Sequence, residues 1–260
     1  DQAEVISEQL TEQQNESGQL IVYRNNRRYV REIHPLILED KTQTSLKENG
    51  VFVIVGGNGG IGTELAYHMA KEAHGKIALI GRREADQDIS NKLIQIRELG
   101  GEGLYIKADI TDVSDMQKAI KQIKDTYGTI NGVIHSALVL EYKTVMNMTS
   151  DNLISVLNPK ALGSVILNSA LEGEHLDFVV YFSSANSYTA AAGQSNYSAA
   201  CTFKDAFAEY CNQQNPYDVK YINWGYWGTV GVVSSDKYVE RMNGMGVKSI
   251  YPEEGMNVFE

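Results

Sequence analysis

Ser184 and Tyr197 stand thirteen positions apart and carry side chains that can move a proton. A serine at the end of a predicted strand and a tyrosine at the start of a predicted helix can converge on one substrate carbonyl. Reduction of a ketone needs hydride at carbon and a proton at the developing alkoxide. A phenol, whose ordinary pKa is about 10, can supply that proton when a lysine ammonium favours its ionised form. Ser184 would stabilise the same oxygen; Ser183 and Ser187 are the less favoured alternatives.

A glycine-packed turn indicates a nucleotide phosphate site. It follows the apolar run Val51–Val55 and opens a segment whose apolar residues have helical spacing. Glycines let the chain turn tightly and let backbone N–H groups approach a pyrophosphate at a helix N-terminus. An ordinary tight turn is the alternative, and the strand–turn–helix order favours the nucleotide. The residues of this turn are Gly56, Gly57, Asn58, Gly59, Gly60, Ile61 and Gly62.

The ends of the next two predicted strands indicate which nucleotide is bound. An NAD site usually places an acid about 20 residues after the glycines, to bind the ribose 2′-hydroxyl. Arg82 and Arg83 stand there instead. Because an arginine can hold a 2′-phosphate, we expect NADPH. Asp109, beside Ile110, is placed to accept a hydrogen bond from adenine. Alternatively, the two arginines are solvated surface charges, and Asp109 caps a helix or holds a turn.

Apolar runs alternate with helical stretches from position 51 onward, which is typical of a parallel sheet covered on both faces. Six such runs predict an α/β fold with a Rossmann-like, doubly wound parallel sheet. The predicted strands are 51–55, 77–80, 104–107, 132–136, 178–183 and 220–223, with helices over 89–99 and 115–127 among others.

The start of the chain differs in character. Residues 19–32 alternate around Asn25 and Asn26, which predicts a β-hairpin. A lone hairpin is not stable in water, so we expect it to pack on another part of the polypeptide. We therefore divide the chain into residues 1–49, a linker and hairpin, and residues 50–260, the nucleotide-binding domain.

Composition disfavours several functional classes. The chain has no apolar run near 18 residues, so we expect no membrane span. Its formal net charge of −10 disfavours nucleic-acid binding, which depends on neutralising phosphates. Cys201 and Cys211 give neither a disulfide framework nor metal-ligand spacing. We expect no metal and a reducing, cytoplasmic location.

The motifs together resemble the ketoreductase domain of bacterial modular polyketide synthases, a branch of the short-chain dehydrogenase/reductase superfamily. The resemblance covers almost the whole chain. The sequence looks most like that of synthases that use a separate acyltransferase. Besides Ser184, Tyr197 and the glycine turn, it rests on the hairpin at 23–31 and the runs 132–137, 223–225 and 201–207.

The lysine position is typical of this family. In common short-chain dehydrogenases a lysine stands one helical turn after the tyrosine, where Cys201 stands here. Lys160, thirty-seven residues before Tyr197, matches the catalytic lysine of the ketoreductase family by position. The resemblance implies that Lys160 lowers the tyrosine pKa and holds the nicotinamide ribose.

The resemblance also implies a substrate and partners. NADPH would reduce a ketoacyl thioester carried on the phosphopantetheine arm of an acyl carrier protein, beside neighbouring synthase domains. Residues 226–246 would form a mobile lid, and the family would continue beyond position 256. The further cofactor contacts that the family motifs imply are Ser136, Ala137, Asn223, Trp224 and Gly225.

Several positions depart from the family pattern. Cys201 replaces an asparagine of the catalytic tetrad, Leu138 replaces a glycine near the ribose, and Val55 replaces a threonine. Tyr142 and Thr189 occupy the two positions that usually mark product configuration. Since neither marker is present, the sequence predicts no configuration for the hydroxyl.

Two other functions remain open at this point. A stand-alone short-chain reductase of small ketones would share the fold and the three catalytic residues, although the hairpin and the position of Lys160 argue against it. A reductase-like module with a structural or docking role is the other alternative, which the departures at Cys201, Leu138 and Val55 keep open. Epimerase or dehydratase activity has no supporting residues.

Overall fold

The computed structural model describes residues 6–7, 21–25, 27–37, 44, 46–189, 191–231 and 233–260. Most of the predicted N-terminal linker therefore lies outside the described residues, as do Asn26 of the predicted turn and Val232 of the predicted lid. The chain divides into two units, residues 1–41 and 42–260.

The smaller unit contains the predicted hairpin, formed by β1 (Ile21–Arg24) and β2 (Arg27–Val30). The strands pair antiparallel, with Ile21 opposite Val30. At the turn, Asn25 has a φ of 51°, a left-handed conformation that asparagine adopts more readily than most residues.

The larger unit is built on a six-stranded parallel sheet, which confirms the predicted Rossmann-like fold. Its strands are β3 (Val51–Val55), β4 (Lys76–Gly81), β5 (Glu102–Lys107), β6 (Gly132–His135), β7 (Phe178–Ser184) and β8 (Asp218–Trp224). They lie side by side in the order β5-β4-β3-β6-β7-β8. The direction of winding reverses between β3 and β6, and in such sheets ligands bind outside the carboxyl ends of the strands at that reversal.

Helices alternate with the strands. They are α1 (Gly60–Ala73), α2 (Gln87–Glu98), α3 (Val113–Tyr127), α4 (Ser150–Lys160), α5 (Leu162–Ala170), α6 (Ser195–Gln214), α7 (Asp236–Gly244) and α8 (Pro252–Phe259). Across the described ranges, no helix combines the length and apolar character that a membrane crossing needs.

Aspartate caps set two helix starts that the apolar spacing placed two residues late. Asp86 accepts a hydrogen bond from the backbone N–H of Ile89 at 2.9 Å, and α2 begins at Gln87. Asp112 accepts one from the N–H of Asp115 at 2.8 Å, and α3 begins at Val113. A cap satisfies N–H groups that have no partner within the helix, so the first turn forms before the apolar stripe starts.

The core lies on both faces of the sheet. All five residues of β3 are buried. Val51, Val53 and Val55 pack into one cluster, whereas Phe52 and Ile54 pack into the other. Successive side chains of a strand point to opposite faces, so a continuous apolar run fits a strand that helices cover on both sides.

Asn131 joins three strands at their amino ends. Its side-chain oxygen accepts a hydrogen bond from the Val51 N–H at 3.1 Å, and its amide donates to the Asp177 carboxylate at 2.9 Å. Asn131 is 6% exposed and directly precedes β6, while Asp177 directly precedes β7. This end of the sheet is opposite the predicted cofactor crevice.

Asn131→Ala should therefore lower the free energy of unfolding by about 1–3 kcal/mol, because it leaves the buried Val51 N–H without its side-chain acceptor. Urea denaturation measures the change, and NADPH affinity should stay the same. Asn91→Ala, at an exposed position of α2, is the matched control and should change stability by less than about 0.5 kcal/mol. Equal losses in the two variants would contradict the role of Asn131.

Candidate active site

A cleft of about 810 Å³ opens at the carboxyl ends of the strands. Most of the residues predicted from the sequence line it, namely Gly56, Asn58, Gly59, Gly60, Ile61, Arg82, Arg83, Asp109, Ile110, Ser136, Ala137, Lys160, Ser184, Tyr197, Trp224 and Gly225. Gly57, Gly62 and Asn223 are not among its lining residues. The structure thus brings predicted residues from both halves of the sheet to one cavity.

The glycine turn presents an uncapped helix start to this cleft. Gly56 has a φ of 82°, and its N–H donates to the Ile80 carbonyl at 2.8 Å. Helix α1 starts at Gly60 with no side-chain cap at Gly59 and no acidic residue in its first turn. The first N–H groups of a helix have no partner within it, and they carry partial positive charge. This open end fits a phosphate.

Two of the predicted glycines serve packing within the turn. A Cβ at Gly57 would lie 2.5 Å from a methyl carbon of Leu79. A Cβ at Gly62 would lie 2.8 Å from the Gly56 carbonyl oxygen. Both positions need glycine because the first turn of α1 lies directly against the strand ends. The two residues therefore allow close packing of the turn and do not line the cleft.

The two predicted arginines differ in their surroundings. Arg83 forms ion pairs with Asp88 and, at 3.4 Å, with Asp86. Within the described part of the chain, Arg82 makes no ion pair. The Oδ1 atom of Asp109 accepts hydrogen bonds from the Thr111 N–H at 2.8 Å and hydroxyl at 2.7 Å, so this carboxylate holds a turn as well as lining the cleft.

Ser184, Lys160 and Tyr197 meet from three elements. Ser184 ends β7, Lys160 ends α4, and Tyr197 lies in the first turn of α6. The Ser184 side chain lies close enough to the Tyr197 phenol to lower its pKa. The Lys160 Nζ lies 5.1 Å from the centre of the Tyr197 ring and donates to the Phe182 carbonyl at 3.2 Å. The serine, the phenol and the ammonium therefore face one volume.

Burial is the main influence on the pKa values of Tyr197 and Lys160. Tyr197 is 8% exposed, and burial raises the pKa of its phenol, an effect that the nearby Ser184 opposes. Burial also lowers the pKa of Lys160, while Cys201 and Asp205 oppose that change. The phenol consequently stays protonated at neutral pH.

Cys201 is fully buried one turn after Tyr197 and packs with Tyr197 and Val156. Its side chain lies close enough to the Lys160 ammonium to raise the pKa of that lysine. Cys201 thus occupies the space beside the lysine as a small core residue.

Asn196 positions Tyr197, and the sequence motifs did not identify it. Its side-chain oxygen accepts from the Tyr197 N–H at 2.9 Å. Its amide donates to the carbonyls of Glu141 and Asn152 at 3.0 and 3.2 Å. One buried amide thereby fixes the start of α6 to the loop after β6 and to α4. Its position directly before the tyrosine was the only signal in the sequence.

Asn223 lies behind the serine. Its amide nitrogen donates to the Asp205 carboxylate at 2.8 Å and lies 3.3 Å from the Ser184 carbonyl oxygen. Instead of lining the cleft, this side chain fixes the backbone that carries Ser184.

The predicted lid supplies much of the remaining wall. Tyr142 lies beneath it, and burial and the nearby Tyr238 raise the pKa of Tyr142 to about 12. The lid also approaches the glycine turn, since a Cβ at Gly60 would lie 2.2 Å from the Gly231 nitrogen. Lining residues outside the predicted set include Leu140, Tyr142, Gln194, Tyr226, Trp227, Val230, Tyr238, Arg241, Met242 and Met245.

The doubly wound sheet and the meeting of Ser184, Tyr197 and Lys160 at its carboxyl edge define a protein of the short-chain dehydrogenase/reductase class. The sequence model of the KR domain matches residues 50–229. The chain belongs to the family of ketoreductase (KR) domains of polyketide synthases, as its resemblance to that family predicted.

Relatives of known sequence are large synthases. Polyketide synthase PksN of Bacillus subtilis is 39% identical over 255 residues, which are 98% of this chain and 5% of the synthase. Polyketide synthase ThaG of Burkholderia thailandensis is 38% identical over 218 residues, 84% of this chain and 4% of that synthase. The chain thus spans a small part of the relatives that it matches.

Solved structures agree with this assignment. A ketoreductase domain from the bacillaene assembly line has a TM-score of 0.82 and 29% identity, over 92% of this chain and 58% of that one. An N-terminal ketoreductase from the macrolactin assembly line has a TM-score of 0.78 and 33% identity, over 90% of this chain and 45% of that one.

Gly56→Ala should weaken binding of a nicotinamide dinucleotide by about tenfold or more, because positive φ and crowding together displace the glycine turn. A Cβ there would lie 2.6 Å from the Ala137 backbone. Gly128→Ala is the matched control, since Gly128 has a φ of 86° and open space around the Cβ position. Fluorescence titration with NADPH measures both, and equal affinities in the two variants would show that the close approach of Gly56 to Ala137 is unimportant.

Proposed function

We propose that this chain is an NADPH-dependent ketoreductase. It reduces a ketoacyl thioester on an acyl carrier protein to the hydroxyacyl thioester during polyketide chain extension. The observation that carries the proposal is the meeting of Ser184, Tyr197 and Lys160 in one cleft with an uncapped, glycine-lined helix start. Membership of the ketoreductase family supports the same reaction.

The cleft suits a dinucleotide. The glycine turn and the first N–H groups of α1 would hold the pyrophosphate, and Lys160 would hold the nicotinamide ribose. Arg82 would hold the 2′-phosphate, because its guanidinium lines the cleft and makes no ion pair among the described residues, whereas Arg83 is already paired with aspartates. Bound NADPH would supply the hydride that the ketone carbon receives.

Three side chains complete the reaction. The hydroxyl groups of Ser184 and Tyr197 donate hydrogen bonds to the ketone oxygen and polarise the carbonyl. As the carbon gains hydride, the oxygen gains the phenolic proton of Tyr197, so the ketone becomes a secondary alcohol and the tyrosine a phenolate. The Lys160 ammonium, 5.1 Å from the ring centre, stabilises that phenolate. The raised pKa of Tyr197 keeps the donor protonated before the step.

The carrier-bound substrate is supported by the relatives, which are multidomain polyketide synthases. Neighbouring synthase domains would provide the ketoacyl chain and use the hydroxyl product. The mostly apolar wall that Leu140 and the lid residues Met242 and Met245 help to form suits an acyl chain and would exclude water near the ketone.

Tyr197→Phe should reduce kcat by about 10²-fold or more, because it removes the phenolic proton that the ketone oxygen receives. NADPH affinity should change little, since the ring and its packing remain. Loss of NADPH absorbance with a carrier-bound keto thioester measures turnover. Tyr210→Phe, at a 58% exposed position of the same helix, is the control. Undiminished turnover in Tyr197→Phe would rule out this mechanism.

Arg82→Ala should weaken NADPH binding by about tenfold or more and leave NADH binding nearly unchanged, because only NADPH carries the 2′-phosphate. Arg83→Ala is the matched control and should have a smaller effect, since that guanidinium serves Asp86 and Asp88. Dissociation constants for the two cofactors measure the selectivity. If Arg82→Ala weakened both cofactors equally, the phosphate assignment would be wrong.

A further inference from the structure

A second buried lysine lies beneath the catalytic group, and the reaction described above does not use it. Lys204 is fully buried, seven residues after Tyr197 and on the same buried face of α6. Burying a lysine ammonium costs free energy unless hydrogen bonds replace its water. A side chain retained at such a cost needs a compensating role.

The contacts of Lys204 match an ammonium group. Its Nζ lies 3.1 Å from His135 Nδ1, 3.3 Å from the His135 carbonyl and 3.3 Å from the Phe182 carbonyl. The other ring nitrogen, His135 Nε2, lies 3.0 Å from the Pro159 carbonyl and must therefore carry the proton. His135 Nδ1 is then an acceptor, so three acceptors face the three donors of the ammonium.

These acceptors belong to the segments that carry the catalytic side chains. Phe182 stands two residues before Ser184 on β7. Pro159, which His135 contacts, directly precedes Lys160. Lys204 itself is part of the helix that carries Tyr197. One ammonium thus connects all three elements, directly or through His135.

Charged and titratable groups surround Lys204 on every side. Lys160 of α4 shares the Phe182 carbonyl with it, and the Tyr181 ring centre of β7 lies 6.0 Å from its Nζ. His135 ends β6, and Cys201 and Asp205 of α6 complete the surroundings.

Two of these groups show how the cluster titrates. Burial and repulsion by Lys160 hold the pKa of Lys204 well below its usual value, although Cys201 and Asp205 oppose them. Burial and the two lysines also hold the pKa of His135 well below its usual range, so its ring is neutral at physiological pH.

We propose that Lys204 is a positioning residue for the proton-transfer step: its ammonium holds the Ser184 strand and the Lys160 helix in register with the helix that carries Tyr197. The inference rests on the proposed reductase function. The protonated form is the active one, because the neutral amine has only two hydrogens for three acceptors. Activity therefore falls as the pH rises through the lowered pKa of Lys204, below the usual lysine value of about 10.4.

Lys204→Met tests this role by removing the charge and the donors while keeping an unbranched side chain. We expect kcat to fall by about 10- to 100-fold, because small displacements of catalytic groups cost this much. The dissociation constant of NADPH should stay within about twofold, since the hydrogen bonds of Lys204 go to His135 and Phe182 rather than to the glycine turn. The alkaline fall of kcat should move to higher pH, because the group that loses its proton first is gone. Lys121→Met, whose side chain is 73% exposed, is the matched control.

Lys204→Arg covers the case in which the methionine variant does not fold. It keeps a cation that does not lose its proton, so it should restore part of kcat and also move the alkaline fall to higher pH. Wild-type kcat in Lys204→Met, or an unmoved alkaline fall in both variants, would overturn the proposal.

Lysine ¹³Cε NMR of the wild-type protein provides a readout without turnover. The signals of the two buried lysines, Lys160 and Lys204, should titrate below those of the exposed lysines. The lower of the two should be missing from Lys204→Arg. Absence of such a signal would overturn the proposal for Lys204. By contrast, an intact signal in a protein that turns over no keto thioester would contradict the reductase function itself.

Discussion

The parallel pairing of β3 with β6 is the constraint on which the site depends. Both strands start from the same edge of the sheet, so the turns that follow them open at the opposite edge, where the winding reverses. Gly56 then lies directly against Ala137, so close that a single methyl group would collide with the backbone. The same geometry brings β7, with Ser184, alongside β6 and completes the crevice.

A second feature follows from burial. Lys160 lines the crevice and Lys204 lies beneath it. Both are fully or almost fully buried, and both contact the Phe182 carbonyl. Hydrogen bonds to backbone carbonyls and to His135 replace water there. In such surroundings a charge acts strongly on its neighbours, because the local dielectric constant is low. Burial keeps the Tyr197 phenol protonated, and the Lys160 ammonium can stabilise the phenolate that forms. The phenol is therefore suited to donate one proton per turnover.

The sequence predicted what depends on local pattern. Strand β3 has the predicted bounds, since five apolar residues before a glycine turn have few other conformations, and helix starts differed only where aspartate caps act. Lys160 was found through family resemblance, because no spacing rule links it to Tyr197 across thirty-seven residues. The amide of Asn196, the place of Asn223 behind Ser184 and the contacts of Lys204 depend on tertiary packing. Such contacts join residues far apart in the chain, so no local pattern in a single sequence predicts them.

Transfer of label from the cofactor tests the central claim most directly. NADPH dideuterated at nicotinamide C4 would be incubated with the protein and a carrier-bound keto thioester, and the product examined by mass spectrometry and NMR. We predict one deuterium on the carbon that bears the new hydroxyl group. A hydroxyl product without that deuterium, or unchanged keto thioester beside fully labelled NADPH, would contradict hydride transfer in this cleft.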